Sequence, residues 1–430
     1  MNYLIKGCEI WEIKGVKEAD IYIEEGVIKE IGPGLKRDHV RIVEGKGKVC
    51  VPLFIDLHAH LRTPGEEEKE DLSSGLKAAL KGGFHTVVCM PNTKPVIDRP
   101  EIVDWLKKNS RQILGADLKV AAAISEGLEG KRKNPLTLLA ARGADAFSDD
   151  GCGLNNLEVL YQAFREAANL GCLLLLHEED SHLSRSSCIN EGEPAYRTGI
   201  PGNHYLSEAL PAVRDMLLAA ATGARIHIQH VSSRETVRFL RVFKGSRVTA
   251  EVTPHHLLFD ETHTLGLDPL FKVNPPLRSK EDWEALLEAL IEGTIDCIAT
   301  DHAPHTFEEK LIPYEEAKPG MAWFELVFPA LYTELISKGL LEPQTLIRAL
   351  NLAPASILGI DRPAIEEGKP ANLALFDVSI KQKITSGELV SKGKNNPLLG
   401  TELYGATAAV FKNGNLVFFE GKFLEEDELA

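Results

Sequence analysis

Histidines and aspartates recur in this 430-residue chain just after short apolar runs. His58 and His60 follow the run 53–57, Asn92 follows 85–90, and Asp150 follows 144–147. His177 follows 172–176, His230 follows 225–229, and His255 and His256 follow 247–252. Asp301 and His302 follow 295–299. His58, His60, His177 and His230 with Asp150 and Asp301 make a nitrogen-and-oxygen donor set suited to Zn²⁺ or a similar divalent ion. Two such ions ~3.5–4 Å apart can hold a bridging hydroxide and polarise a carbonyl. A nearby carboxylate must take the hydroxide's proton and pass it to a leaving nitrogen. Asp301 is best placed for that, as ligand and proton carrier together.

Each residue has a plainer reading when taken alone. His58 and His60 are two apart on a strand and share a face, but a His-x-His pair arises often by chance. His177 reads equally as a strand-end histidine bonded to a loop. His227, mid-strand, competes with His230 and reads as structural. Asp301 alone suits a helix N-cap or a loop. Six ligand-type residues at equivalent ends of five expected strands carry the inference; no single motif does.

Residues this far apart must be gathered by the fold. Between the apolar runs lie amphipathic stretches such as 72–81, 157–169, 208–222 and 280–292. With 118–124 counted, eight runs alternate with helix-like segments over about 300 residues, the pattern of repeated βα units. That predicts an α/β chain built on a (β/α)8 TIM-type barrel, whose C-terminal face collects strand-end residues. An open doubly wound sheet competes, but no Gly-x-Gly-x-x-Gly follows the first strand. Both ends are β-rich: Tyr3-Leu4-Ile5, Ile21-Tyr22-Ile23 and the turn Gly32-Pro33-Gly34, then the runs 372–376, 408–411 and 416–419 around Asn413-Gly414. A small β-sandwich domain built from both termini is expected, with segments 1–50 and 363–430 flanking a barrel over 51–362.

Composition bounds the partners. The chain is 44% hydrophobic with net charge −15, which argues against nucleic acid as a partner, since phosphate binding needs clustered Lys and Arg. One local Arg can still hold a carboxylate. The seven cysteines include no Cys-x-x-Cys pair and read as small buried hydrophobes in a reducing compartment. Residues 1–11 lack the features of a signal peptide, and no run of 18 apolar residues suggests a membrane span, so the cytoplasm is expected.

The segment His58-Ala59-His60-Leu61-Arg62-Thr63-Pro64-Gly65, preceded by Val51-Pro52, resembles the opening of a dihydroorotase of the amidohydrolase superfamily. So do Cys89-Met90-Pro91-Asn92-Thr93, Phe147-Ser148-Asp149-Asp150-Gly151, Ile228-Gln229-His230-Val231-Ser232 and Glu251-Val252-Thr253-Pro254-His255-His256. Val273-Asn274-Pro275-Pro276-Leu277-Arg278 and Ala299-Thr300-Asp301-His302-Ala303-Pro304-His305 complete the likeness, which runs in order over the chain and is similar to the type I bacterial branch. The resemblance implies zinc-dependent, reversible opening of the dihydroorotate ring to N-carbamoyl-L-aspartate in pyrimidine synthesis, with metal-bound hydroxide attacking the ring carbonyl. It implies one zinc on His58, His60, Asp150 and Asp301, and a second on Asp150, His177 and His230. Arg62 and Asn92, assisted by His305, would hold the substrate carboxylate, and Asn274 would meet the ring edge. Its partners would be this small substrate, further copies of itself and an aspartate transcarbamoylase.

Three departures from the family pattern matter. Asp150 stands where many superfamily members carry a bridging carboxylated lysine, which bears on the second zinc. Glu178 adds a charge beside His177, and Trp323 replaces a small residue in the substrate loop, with consequences expected for metal affinity and ring packing. Residues 306–318, polar and without a helical stripe, are expected to form a mobile lid. A hydantoinase- or allantoinase-type cyclic amidase, which generally uses the lysine bridge, and a catalytically silent scaffold, which should have lost ligands, are the alternatives.

Overall fold

The computed structural model describes residues 1–184, 187–245 and 247–424. Its centre is an eight-stranded parallel sheet in sequential order: Phe54–Ala59, Phe84–Cys89, Asp117–Ala123, Ala146–Ser148, Leu173–Leu176, Arg225–Ile228, Val248–Val252 and Cys297–Ile298. The eighth strand returns to the first. Ala59 bridges His302, the His60 N–H donates to the His302 carbonyl at 2.8 Å, and the Thr300 N–H donates to Asp56 Oδ1 at 2.9 Å. The barrel is thereby closed.

Strand alternation explains how the barrel delivers its side chains. Val87, Ala122, Phe147, Leu174, Ile226 and Ala250 face the surrounding helices within one large apolar cluster. Val88, Met90, Ala121, Ala146, Leu173, Leu175, Cys297 and Ala299 form a separate inner cluster. With a side-chain period of two, the inner positions continue past the strand ends to Asn92 after Met90, Asp150 after Ser148, His177 after Leu175 and Asp301 after Ala299. The helices form where the amphipathic stretches lie: Leu72–Lys81, Leu157–Leu170, Leu206–Thr222 and Lys280–Glu292. Asp71 opens the first with a reciprocal cap to Ser74, and Gly171 ends the second in the left-handed conformation. Among the described residues, no helix is long and apolar enough to cross a membrane.

The termini share a second sheet of nine strands, in which Leu373–Asp377 pairs antiparallel with Lys48–Pro52, which in turn pairs with Tyr3–Glu12. Pairing runs through Pro52, two residues past the break expected after residue 50. Tyr3 and Phe411 lie three strands apart in this sheet, about 14 Å if it were flat. Their rings nevertheless meet edge to face at 5.1 Å, so the sheet curls over its own apolar core. Phe376 of this sheet stacks on Phe328 at 3.9 Å and faces Phe54 of the first barrel strand at 6.3 Å, joining sheet to barrel.

Candidate metal centre and carboxylate pocket

His58, His60, Asp150, His177, His230 and Asp301 converge at the C-terminal mouth of the barrel. Asp301 Oδ1 lies 3.0 Å from His60 Nε2 and 3.5 Å from His58 Nε2. Asp150 stands between two groups: its Oδ2 is 3.5 Å from His60 Nε2, and its Oδ1 is 3.3 Å from His58 Nε2 and 3.4 Å from His177 Nδ1. His230 Nε2 lies 2.7 Å from His177 Nδ1 and 3.8 Å from Asp150 Oδ1. His58, His60 and Asp301 form one group with ligand atoms within 4.8 Å of one another; His58, Asp150 and His230 form another. Asp150 thus reaches both halves of the set, Oδ2 facing His60 and Oδ1 lying between His58 and the His177–His230 pair, a position from which a carboxylate could bridge.

The donors are oriented from behind. His60 Nδ1 is 2.9 Å from Asn92 Oδ1, an acceptor, so the ring proton sits there and Nε2 keeps its lone pair. His177 Nε2 is 2.9 Å from Glu179 Oε2, which leaves Nδ1 turned inward, and Asn274 Nδ2 donates to the same oxygen at 3.1 Å. His58 Nε2 is buried without any hydrogen-bond partner. Burial would strip the proton from His58, but Asp150, Asp301 and Glu251 override it and raise its pKa well above the ordinary range. Burial acts the same way on His177, yet hydrogen bonds to Asp150 and Glu179 lift it to about 10. Burial opposes ionisation of Asp301, and the His58 and His60 charges nonetheless hold it below the usual carboxylate range. Such a field favours positive charge at its centre. A divalent cation can take the place of those protons, and imidazole nitrogens with ionised carboxylates facing one point fit it.

His230, Asp301 and Arg62 all adopt left-handed backbone conformations, with φ of 35°, 44° and 58°. Each costs a residue with a Cβ of order 1–3 kcal/mol, which the surrounding packing must offset. All three project side chains to the site.

A cavity of about 320 Å³ opens over the donors, lined by Arg62, Asn92, Asn274 and His305 as well as His60, Asp150, His177, His230 and Asp301. His58 lies deeper. Arg62 is buried, its Nε donates to the Pro304 carbonyl at 3.2 Å, and its Nη2 lies 3.2 Å from His305 Nε2. Burial and the Arg62 charge pull His305 down to about 3, so this ring is neutral. Gly151 closes against Asn92, where a Cβ would come within 3.1 Å of Nδ2.

The loop 306–318 borders this cavity at Lys318. Thr306 caps a one-turn helix, Phe307–Lys310, and Lys318, Pro319 and Gly320 reach the cavity wall. Lys69 holds Glu309 at 2.9 Å, and Lys272 Nζ donates to the carbonyls of Tyr314 and Glu315 at 2.8 Å. Neither of the two unusual neighbours lines the cavity. Trp323 is buried outside its lining, donating from Nε1 to His255 Nδ1 at 3.2 Å, so the indole does not form part of the surface against which a ring would pack. Glu178 is buried too, and desolvation with the nearby Asp215 carboxylate raises its pKa well above the ordinary range. Its burial opposes the new charge expected there. His302 and His256 are structural: His302 Nδ1 accepts the Trp323 N–H at 2.9 Å, and His256 Nε2 lies 3.1 Å from the Pro275 carbonyl.

Sequence reasoning missed Glu179, Glu251 and Gln229. Glu251 and Gln229 carried a signal, a carboxylate or amide on the same register as Thr249 and His227.

The model of a dihydro-orotase-like family matches residues 47–236. A dihydroorotase of Halalkalibacterium halodurans is 41% identical over 433 residues, covering the whole of both chains. The chain belongs to the dihydroorotase family. A second family member, from Geobacillus sp., is 40% identical over 98% of this chain and all of its own. Among solved structures, the L-hydantoinase of Arthrobacter aurescens superimposes with a TM-score of 0.85 at 24% identity, over 99% of this chain and 97% of its own. A D-hydantoinase from Thermus sp. gives 0.82 at 26% identity, over 99% and 97%. The barrel with its appended sheet is therefore the architecture this dihydroorotase-family chain shares with hydantoinases.

Proposed function

We propose that the protein is a dihydroorotase that hydrolyses the cyclic amide of (S)-dihydroorotate to N-carbamoyl-L-aspartate and also closes the ring in reverse, with one or two zinc ions. One observation carries the reading: a buried guanidinium, Arg62, stands in the same cavity as five of the six metal donors, above His58. A planar fork fixed through Nε suits a ring carboxylate, and the donor set suits the scissile amide beside it. His58, His60, Asp150 and Asp301 would hold one ion, and Asp150, His177 and His230 the other. A divalent ion there polarises the amide carbonyl and makes water acidic enough to attack at neutral pH.

The protein's own residues do the rest. Arg62 binds the carboxylate, with Asn92 and neutral His305 at its side, and Asn274, in the same lining, meets the ring edge. Asp301, ionised in the resting site, accepts the proton of the attacking water and returns it to the departing ring nitrogen. The folded loop 306–318 excludes solvent while this happens.

The hydantoinase reading is weaker: Arg62 has no task on a ring without a carboxylate, and Asp150 occupies the place of the bridging lysine. A silent scaffold is weaker still, since every donor is present and converged. The proposal extends to a cytoplasmic homo-oligomer able to associate with an aspartate transcarbamoylase, which sedimentation of the mixed proteins would test. Zinc-loaded protein is expected to interconvert N-carbamoyl-L-aspartate and dihydroorotate. Folded, metal-loaded protein without turnover would overturn the assignment.

A further inference from the structure

Beneath the donors lies a layer of polar side chains that the substrate never reaches. Glu251 sits on the seventh strand, fully buried and outside the cavity lining. Its Oε1 is 2.8 Å from His58 Nδ1 and its Oε2 is 3.0 Å from His227 Nε2. On the far side of that ring, Thr249 Oγ1 lies 2.8 Å from His227 Nδ1. The His230 backbone N–H also donates to Glu251 Oε1, at 3.3 Å. One carboxylate thus ties together the first, sixth and seventh strands directly under the metal set.

We infer that Glu251 is a positioning residue for the metal centre: clamped by His227, it fixes His58 in the tautomer that offers Nε2 to the ion. The inference rests on the metal reading of the site. A carboxylate only accepts hydrogen bonds, so once an ion displaces one proton from His58 the remaining proton stays on Nδ1, and the lone pair is left on Nε2. That nitrogen is the one without a partner, 3.3 Å from Asp150 and 3.5 Å from Asp301. The Gln229 amide, 3.1 Å from the same Nδ1, is neutral and competes poorly with a carboxylate. His227 has a matching task. Its Nε2–H holds the second oxygen, so the carboxylate cannot rotate away from His58. A buried negative charge behind an imidazole also raises its basicity as a ligand.

His227, Glu251 and Cys297 are themselves close enough to suggest an ion site. Their donors are already committed to one another, and burial pushes the Cys297 thiol well above its ordinary range, so no thiolate is on offer. The layer supports the centre above it.

The test measures zinc affinity by competition with a chromophoric chelator, alongside circular dichroism of the metal-free proteins. Glu251→Gln keeps shape and removes charge; it is expected to weaken zinc about 10–100-fold with the fold unchanged. His227→Gln leaves His58 untouched but frees the second oxygen, and a several-fold loss is expected. Wild-type affinity in folded Glu251→Gln would overturn the inference. Should that variant not fold, His227→Gln decides, and unchanged affinity there overturns it. Wild-type protein that takes up no zinc would instead refute the metal reading itself.

Discussion

Arg62 Nη2 lies 3.2 Å from His305 Nε2, linking the loop after the first barrel strand to the loop after the eighth. The same histidine turns Nδ1 to Glu309 of the loop 306–318 at 2.9 Å. Carboxylate recognition and the loop bordering the cavity therefore share one contact.

Replacing Arg62 by Lys keeps a charge and loses the planar fork. KM for dihydroorotate is expected to rise about 10–100-fold, the range for lost charged hydrogen bonds. A cyclic substrate without the carboxylate should be affected far less. Steady-state kinetics on both substrates measure the difference, and equal losses would remove Arg62 from the carboxylate site.

Asp301→Asn removes the proton carrier and leaves the side-chain shape. A fall in kcat of about 10²–10⁴-fold is expected, with a near-native melting temperature. Zinc content measured on the same sample separates lost proton transfer from lost metal. Near-normal turnover would assign the proton to another group.

Asp150 divides its oxygens between the two halves of the donor set, whereas His177 touches only one. Two zinc ions per chain are expected in the native protein and one in His177→Asn. Asp150→Ala should retain neither firmly. Elemental analysis after gel filtration reads all three, and a native content of one would confine the chemistry to the His58, His60 and Asp301 group.

Lys310, at the end of the one-turn helix in the loop 306–318, is buried and donates to the Pro269 carbonyl at 2.9 Å, and burial with the nearby Lys272 charge pulls it down to about 7. The unfolded chain keeps that proton up to about pH 10.4, so between these values it binds more protons than the folded chain. Stability gained from this group therefore rises from about pH 7 towards pH 10. Urea midpoints at pH 7 and 9.5 should show a smaller rise in Lys310→Met than in the native protein.

The strand ends were legible because alternation is a local property. Once the runs 85–90, 172–176 and 295–299 are read as strands, Asn92, His177 and Asp301 fall on the inward register with no knowledge of their neighbours. Asn274 and His305 were not legible that way; they sit in loops whose course is set by tertiary contacts, and the family likeness alone singled them out. Glu251 escaped because its meaning lies in His58, 193 residues away across the barrel. The direction of a side chain is equally invisible in residue type: Trp323 turns from the cavity to His255, against expectation. A one-turn helix such as Phe307–Lys310 is too short to print a stripe, and the reading of 306–318 as irregular missed it.

The seam where Thr300 and His302 meet Asp56 and His60 joins segments made at opposite ends of barrel synthesis. A nascent chain leaving the ribosome carries the first two histidines long before Asp301 exists to complete their group. Completion of that group must therefore wait for the last strand to dock, and a truncated or stalled chain lacks one of its three donors.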